Sequence, residues 1–215
     1  EMNNSSYDLI IIGSGPAGES AAVNASKNGL KVAVIDARNI VGGNCTHQGT
    51  IPSKTLRHSV HSLMKFNRNS MFRAISEPKL LTFRQVMETA EDVIKKQVLM
   101  RSRFYAKNDV NFITGVASFI DKNTISLKNN NEKEKTLTAD RFIIATGSRP
   151  YRPSNVDFDH PRVFDSDKVL TLEDTPKRVV IYGAGVIGCE YASIFNGLGC
   201  KVDLINPGEK LLSYL

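Results

Sequence analysis

The sequence predicts an α/β fold, because a strand, a glycine-rich turn, a helix and a second strand occur in this order twice. The first copy begins at Tyr7 and the second at Arg178. Between them, residues 110–138 contain short runs of strand-forming residues separated by Asp, Asn and Lys, which predict a meander of antiparallel strands. We therefore predict a Rossmann-like domain with an antiparallel meander insertion, followed by the start of a second Rossmann-like domain.

The first copy has the pattern of a dinucleotide site. The apolar run 7–12 is typical of a strand buried on both faces, and a helix over 19–28 and a strand over 32–35 are expected after it. The glycines between strand and helix are Gly13, Gly15 and Gly18. In this spacing they allow a tight turn, approach to a pyrophosphate and helix packing, respectively. Asp36 ends the second strand and is placed to accept hydrogen bonds from ribose hydroxyls.

The segment GGNCTHQGTIPSK at residues 42–54 contains the ingredients of a redox site. It combines close-approach glycines, the thiol of Cys45, a proline that suits the first turn of a helix, and Lys54. We expect that helix to end near Phe66. A dithiol would need a second cysteine within reach of Cys45, and Thr50 stands where that cysteine is expected.

The elements that follow are less informative about chemistry. We expect a polar loop over 67–81, then a long helix over 82–107 whose apolar stripe is typical of core packing. A buried strand is expected over 141–145, and four prolines between residues 150 and 176 mark an irregular linker. The predicted domains are 1–150, the linker 151–176, and 177–215.

The second copy repeats the nucleotide turn between a buried strand over 178–182 and a helix over 190–198. Its glycines are Gly183, Gly185 and Gly188. The next strand, 202–205, ends in Asn206. An acid there would bond a ribose 2′-hydroxyl and repel a 2′-phosphate, whereas a neutral amide either tolerates both or says little about preference. Cations that could contact the phosphate are Lys201 and Lys210.

Composition limits the classes of function. The hydrophobic fraction of 41% and the charged fraction of 23% are typical of soluble globular proteins, and no apolar run approaches the ~20 residues of a membrane span. The net charge of +6 is interleaved with acids, as in 131–135, which favours a solvated surface over a nucleic-acid groove.

The start of the chain bears on the location of the protein, and its cysteines and histidines bear on metal binding. The first residues lack the order of a secretory signal, so we expect a cytoplasmic protein. Three cysteines form no CxxC pair, and His58 and His61 have no acid or thiol at metal spacing. We therefore expect no metal.

Two dinucleotide turns, the 42–54 segment and the strand end ATGSRP at 145–150 together resemble the FAD-dependent pyridine nucleotide–disulfide oxidoreductases, over essentially the whole chain. In most of that family the segment reads GGxCxxxGCIPSK, and its two cysteines form a redox disulfide beside the flavin. Here the first cysteine remains as Cys45 and the second is replaced by Thr50.

The resemblance implies a role for each of the site residues. Around FAD, Gly13, Gly15 and Gly18 would hold the pyrophosphate and Asp36 the adenosine ribose, with Gly43 and Cys45 along the cofactor and Thr146 and Gly147 near its adenosine side. Around the nicotinamide nucleotide would lie Gly183, Gly185, Gly188 and Asn206. Lys54 would lie near the flavin N5 and pair with Glu190, so that a fixed positive charge stabilises the anionic reduced flavin.

The missing thiol determines the expected reaction. A lone Cys45 cannot form the intramolecular disulfide that passes electrons to a disulfide substrate. The resemblance then implies hydride transfer from NADPH through FAD to NAD, with both nucleotides using one site. Two alternatives stay open: an NAD(P)H oxidase or peroxidase in which Cys45 cycles through sulfenic acid, and a non-catalytic binding fragment, since family members continue through further domains and are expected to form homo-oligomers.

Overall fold

The computed structural model describes residues 5–129 and 134–212. Three parts of the predictions lie outside the described residues: the chain start, residues 131–133 of the interleaved charged segment, and the last three residues of the second predicted domain. The chain divides into two compact units. Unit 1 comprises Glu1–His47 and Lys95–Arg149, and unit 2 comprises Gln48–Ile94 and Pro150–Leu215. The predicted division into 1–150, 151–176 and 177–215 follows the two nucleotide-binding modules and remains a prediction.

The order of elements agrees with the predicted α/β class. In chain order they are β1 (Ser5–Ile12), α1 (Pro16–Lys27), β2 (Val32–Asp36), α2 (Gly43–His47), α3 (Thr50–Arg68), α4 (Ser70–Ile75), α5 (Phe83–Lys107), β3 (Asn111–Thr114), β4 (Val116–Phe119), β5 (Thr124–Lys128), β6 (Lys135–Ile144), β7 (Arg178–Tyr182), α6 (Val186–Gly197) and β8 (Lys201–Ile205). A short 3₁₀ helix, Lys168–Thr171, lies in the predicted linker.

Unit 1 is built on a six-stranded sheet with the strand order β3-β2-β1-β6-β5-β4. The four strands β3, β2, β1 and β6 are parallel, and β4 and β5 form an antiparallel meander with β6. Apolar side chains are buried on both faces of β1 and β2: Ile10 and Ile35 belong to one core cluster, and Ile11 and Val34 belong to the other. The prediction of a parallel sheet with a meander insertion is confirmed.

Unit 2 contains a parallel pair, β7 and β8, and a helical core. Leu56 and Val60 of α3, Phe83 of α5 and Phe195 of α6 are almost completely buried in one cluster. The rings of Phe83 and Phe195 are stacked with their centroids 5.3 Å apart. The apolar stripe of the long helix therefore packs in a core, as predicted, at its N-terminal end.

Four details of the predicted secondary structure are wrong. The expected loop 67–81 contains α4, whose first turn is capped by the Asn69 side chain accepting from the Met71 N–H over 2.9 Å. The runs 136–138 and 141–145 form one strand, β6. Asp140, which lies between the two predicted runs, is exposed within it. The strand over 111–113 pairs with β2 in parallel rather than joining the meander.

The fourth error concerns burial. The strands predicted as buried on both faces at 141–145 and 178–182 have one open side. Ile144 is 67% exposed, Val180 58% and Tyr182 80%. In the described part of unit 2, Val179 and Ile181 of β7 and Val202 of β8 pack against the core cluster that includes residues of α6. In β7 the packed side chains alternate with exposed ones.

Candidate functional site

The first glycine turn lies in unit 1, between β1 and α1. Gly13 has a φ of +111°, and its N–H donates to the Ile35 carbonyl oxygen over 2.7 Å. A Cβ on Gly13 would lie 2.1 Å from the Ala145 carbonyl oxygen, and a Cβ on Gly18 would lie 1.9 Å from the Gly13 carbonyl oxygen. Neither position has room for a larger residue.

Gly15, the middle glycine, has open space on the side where a Cβ would lie. Among the described residues no heavy atom outside its chain neighbours lies within 4 Å of where its Cβ would be. Gly15 is also the N-cap residue of α1, with extended backbone angles. The first turn of α1 begins at this residue, and its unpaired N–H groups suit an anionic group.

Asp36 holds the turn through Ser14. Its Oδ2 accepts hydrogen bonds from the Ser14 N–H over 2.9 Å and from the Ser14 hydroxyl over 2.6 Å. Its Oδ1 accepts from the Arg38 N–H over 3.0 Å. Since Oδ1 retains a second lone pair, Asp36 can still accept a ribose hydroxyl. Sequence reasoning missed Ser14, although a hydroxyl residue between the first two glycines, with an acid ending the next strand, was a usable signal.

Two further predicted residues are packed around this turn. Gly43 has a φ of +58°, and a Cβ there would lie 2.7 Å from the Cα of Gly15. The Cα of Thr146 would lie 3.2 Å from a Cβ on Gly13, and Gly147 follows with a φ of +72°. Unit 1 thus brings Gly13, Gly15, Gly43 and Thr146 together at the carboxyl end of its parallel strands, where ligands bind in such sheets.

A side chain that the sequence did not indicate joins the segments around the first turn. Asn44 accepts a hydrogen bond from Arg38 Nη2 over 2.7 Å and donates through Nδ2 to the Ser148 carbonyl oxygen over 2.5 Å. Cys45 follows it in α2 as a half-buried free thiol, and Cys189 and Cys200 are free as well. All three cysteines of the chain lie within the described ranges, so none of them is paired in a disulfide.

The second glycine turn lies in unit 2 and repeats the geometry of the first. Gly183 has a φ of +109°, its N–H donates to the Ile205 carbonyl oxygen over 3.0 Å, and a Cβ on Gly188 would lie 1.8 Å from the Gly183 carbonyl oxygen. Gly185 is the N-cap of α6, as Gly15 is of α1. The same spacing has produced the same turn.

Asn206 at the end of β8 closes its own loop. Its Nδ2 donates to the carbonyl oxygens of Gly208, over 2.6 Å, and Lys210, over 3.0 Å. Further along, the Leu212 N–H donates to the Ala184 carbonyl oxygen over 3.2 Å, which attaches the loop to the glycine turn. The amide of Asn206 thus offers its acceptor oxygen, which suits a ribose hydroxyl better than a phosphate.

The two candidate cations near this strand lie at different places. Lys201 begins β8, four residues before Ile205, so it lies about 13 Å from the carboxyl end of the strand. Lys210 belongs to the loop that Asn206 closes, and its side chain is exposed. Lys210 is therefore the better placed of the two for a phosphate.

Lys54 and Glu190 form an ion pair within unit 2. Lys54 Nζ donates to Glu190 Oε1 over 2.6 Å; the Lys54 side chain is 61% exposed and the Glu190 side chain 13%. Lys54 belongs to α3 and Glu190 to α6. These two helices are in close contact, because a Cβ on Gly197 of α6 would lie only 2.3 Å from a methyl group of Val60 of α3. A pair this exposed adds little to stability, but it brings the lysine charge to the Glu190 carboxylate.

One buried tyrosine is associated with each of the two helices that follow a glycine turn: Tyr191 belongs to α6, and Tyr105 of α5 lies in the same core cluster as Ala22 of α1. Burial, with smaller contributions from the charges of Glu190 and Asp167, raises the pKa of Tyr191. Burial and the Glu19 carboxylate raise the pKa of Tyr105, against a smaller opposite effect of Arg101. Both hydroxyls are buried and lack a hydrogen-bond partner in the described part of the chain, and neither is positioned for acid–base chemistry near neutral pH.

Two absences apply to residues 5–129 and 134–212. Within these ranges, the structure contains no cluster of three or more His, Cys, Asp or Glu side chains that could hold a metal ion. None of the helices in the same ranges combines the length and the apolar composition needed to cross a bilayer.

Two glycine turns at the carboxyl ends of parallel strands define a nucleotide-binding α/β protein with Rossmann-like units. The family model described as pyridine nucleotide-disulphide oxidoreductase matches residues 7–215. The chain belongs to this family.

Curated relatives are similar over nearly the whole chain. Proteins named soluble pyridine nucleotide transhydrogenase from Pseudomonas aeruginosa (strain LESB58) and Azotobacter vinelandii are each 58% identical over 209 residues, which are 97% of this chain and 45% of the relative. The chain therefore spans less than half the length of these relatives.

A solved structure agrees with the fold. The HOCl-induced flavoprotein disulfide reductase RclA from Escherichia coli superposes with a TM-score of 0.82 at 27% sequence identity. The match covers 96% of this chain and 43% of the RclA chain.

Proposed function

We propose that the protein carrying this sequence is a flavoprotein that transfers hydride between NADPH and NAD. The name shared by the 58% identical relatives supports this activity. Because the chain spans 45% of those relatives, the proposal concerns the natural protein that contains these residues, whatever its length.

Unit 1 has the features that FAD binding requires. The open backbone at Gly15 and the N-terminus of α1 would bind the pyrophosphate, while Asp36 Oδ1 would accept a ribose hydroxyl. Gly43, Cys45, Thr146 and Gly147 would line the cofactor. When bound, FAD would supply a centre that takes hydride from one nicotinamide and gives it to another.

Unit 2 would hold the nicotinamide nucleotides, one after the other. Gly183, Gly185 and Gly188 form the phosphate-binding turn, and Asn206 Oδ1 would accept the 2′-hydroxyl of NAD. Lys210, on the loop closed by Asn206, would offer a cation to the 2′-phosphate of NADP. Separate groups for hydroxyl and phosphate would let one site accept both nucleotides.

Lys54 would provide the positive charge that favours a reduced, anionic flavin. Glu190 would orient it, since the carboxylate fixes Nζ at 2.6 Å while most of the lysine side chain stays exposed. The two helices that carry the pair are packed through buried residues, so the charge has a rigid support.

The observation that carries the proposal is that Cys45 is the one cysteine of the segment 42–54. All three cysteines are free, and Thr50, the first residue of α3, occupies the position in the sequence at which most of the family carries its second cysteine. A hydroxyl cannot form a disulfide, so electrons cannot leave by that relay. A second nicotinamide nucleotide is the acceptor that the remaining residues can bind.

The test is a comparison of electron acceptors, made on the natural protein that contains this sequence. With NADPH as donor, reduction of the NAD analogue thio-NAD should be much faster than reduction of glutathione disulfide, lipoamide, oxygen or hydrogen peroxide. Faster turnover with a disulfide would contradict the proposal. Faster turnover with oxygen or peroxide would favour the single-cysteine oxidase or peroxidase instead.

A matched pair of lysine variants tests the role of Lys54. Lys54→Met should slow hydride transfer by about tenfold or more, because a charge beside the reacting group is lost. Lys65→Met, an exposed lysine later in the same helix, should leave the rate unchanged. Equal effects of the two substitutions would remove Lys54 from the mechanism. A cytoplasmic location and a homo-oligomeric assembly remain predictions.

A further inference from the structure

An ion pair that is largely shielded from solvent lies beside the first glycine turn. Glu19, in the first turn of α1 and directly after Gly18, accepts a hydrogen bond from Arg101 Nη1 of α5. The Arg101 side chain is 12% exposed and the Glu19 side chain 16%. Both residues belong to unit 1. The sequence alone assigned no role to either of them.

The position of Glu19 creates an electrostatic conflict. A carboxylate in the first turn of a helix is favoured by the helix dipole. The same positive end of α1 is what would attract a diphosphate at Gly15. A carboxylate that is mostly shielded from solvent repels such an anion with little screening by salt. Alone, Glu19 would therefore weaken the anion site it stands beside.

Arg101 is directed at this charge. Its Nε has no hydrogen-bond partner in the part of the chain that the structure describes, and its Nη2 lies 3.5 Å from Gln97 Oε1, a marginal contact. Its short contact is therefore the one to Glu19. Tyr105, one turn further along α5, is 3% exposed and contributes to the burial of this region.

We propose that Arg101 is a positioning residue of the first nucleotide turn, whose charge cancels that of Glu19 and so preserves the positive potential of α1 for the diphosphate of FAD. This inference rests on the proposed function in one respect, that FAD binds at this turn. It requires no contact between Arg101 and the cofactor. The simpler alternative is that the pair only ties α1 to α5.

A double-substitution cycle separates the two roles. The dissociation constant of FAD is measured on the apoprotein of the natural protein, for the wild type, Arg101→Gln, Glu19→Gln and the double variant, at low and high salt. Arg101→Gln leaves an uncompensated carboxylate and should weaken FAD binding by about tenfold at both salt concentrations, since a shielded charge is little screened. Glu19→Gln should bind FAD at least as tightly as the wild type at both salt concentrations.

The double variant decides the question. It has lost the ion pair but has the same net charge as the wild type, so its affinity for FAD should return to within about threefold of the wild type. A double variant that binds FAD as weakly as Arg101→Gln, or more weakly, would overturn the proposal and leave a purely structural tie.

Folding is followed by urea unfolding of the same four proteins. If Arg101→Gln does not fold, Arg101→Lys is used instead. Lysine keeps the positive charge, so this variant should bind FAD with wild-type affinity. A loss of FAD affinity of about tenfold in a folded Arg101→Lys protein would contradict charge cancellation. Hydride transfer by the wild type is recorded separately. A wild type that binds FAD but transfers no hydride to NAD contradicts the proposed function alone, and one that binds no FAD contradicts both proposals.

Discussion

The two glycine turns are nearly identical in backbone and differ in what surrounds them. Gly13 and Gly183 have φ values of +111° and +109°, and a Cβ on the third glycine would lie 1.9 Å or 1.8 Å from the carbonyl oxygen of the first. At Gly13, the space for a Cβ is occupied by the carbonyl group of Ala145, the residue that follows β6. Around Gly183, no described atom outside its chain neighbours lies within 4 Å of the place that a Cβ would take.

The strand ends next to the turns differ as well. Asp36 is hydrogen-bonded to Ser14 within the first turn, so its carboxylate supports the turn itself. Asn206 is hydrogen-bonded to Gly208 and Lys210, so its amide supports the following loop. The comparison shows that the glycine spacing determines the backbone of a nucleotide turn, while neighbouring strands and the strand-end residue determine its rigidity and polarity.

The largest expected difference comes from the first glycine of each turn. Gly13→Ala combines a strained φ with a backbone overlap at Ala145, and should lower the free energy of unfolding of unit 1 by about 4 kcal/mol. Gly183→Ala has the same strain without the overlap, and should cost unit 2 about 2 kcal/mol. Amide hydrogen exchange of β1 and β7 reports the two units separately.

Gly29→Ala is the control for the strain alone. Its φ is +81°, it lies outside both turns, and no heavy atom beyond its chain neighbours lies within 4 Å of a Cβ there in the described structure. It should resemble Gly183→Ala. A Gly13→Ala variant no less stable than Gly29→Ala would show that Ala145 does not confine the first turn.

The strand-end residues should give the next largest difference. Asp36→Asn removes a charged acceptor from two hydrogen bonds of Ser14 and should lower the free energy of unfolding by about 2 kcal/mol. Asn206→Ala breaks two hydrogen bonds in an exposed loop and should cost about 1 kcal/mol or less. Both changes are measured by urea unfolding of the chain.

Asp8 provides a matched comparison for Asp36, because its carboxylate also accepts a backbone N–H, that of Lys31 over 2.6 Å, but at an exposed place. Asp8→Asn should therefore cost less than Asp36→Asn. The distinction between a turn-supporting and a loop-supporting residue would be lost if Asn206→Ala proved as destabilising as Asp36→Asn.

The smallest effects are expected at the buried tyrosines. Near neutral pH, Tyr105→Phe and Tyr191→Phe should change the free energy of unfolding by less than about 0.5 kcal/mol, since neither hydroxyl has a partner in the described structure. Burial raises the pKa of both hydroxyls. The stability they contribute is therefore complete below the unfolded-state pKa of about 10 and lost as the pH rises beyond it.

Each phenylalanine variant should accordingly become more stable than the wild type above about pH 10. Thermal unfolding across that range measures the crossover. A variant that is markedly destabilised at neutral pH would indicate a hydrogen bond, for instance to water, that holds the tyrosine hydroxyl.

The sequence predicted the elements whose pattern is local. Both glycine turns, their flanking strands and the α/β class follow from spacing, because a GxGxxG turn leaves few backbone solutions between a strand and a helix. Helix α1 begins at Pro16 rather than at residue 19 and α6 at Val186 rather than at residue 190, because the helix starts inside the motif and not after it.

The features that depend on distant residues were not predictable. The buried position of Ser14 depends on Asp36 and Gly42, the pairing of β3 depends on β2, and the ion pair of Glu19 depends on a helix more than 80 residues away. Hydrophobic runs also overestimated burial at Val180 and Tyr182, since an apolar strand does not reveal how many of its faces are covered. The roles of Lys54, Glu190 and Asn206 toward ligands remain predictions.

The central claim, that a second nicotinamide nucleotide replaces the missing disulfide relay, is tested most directly by one anaerobic titration of the FAD-loaded natural protein. NADPH should bleach the flavin absorbance, and NAD added after removal of excess NADPH should restore it while forming about one NADH per flavin, as expected for a single two-electron acceptor. Recovery of the oxidised spectrum on addition of a disulfide or oxygen, but not of NAD, would contradict the account.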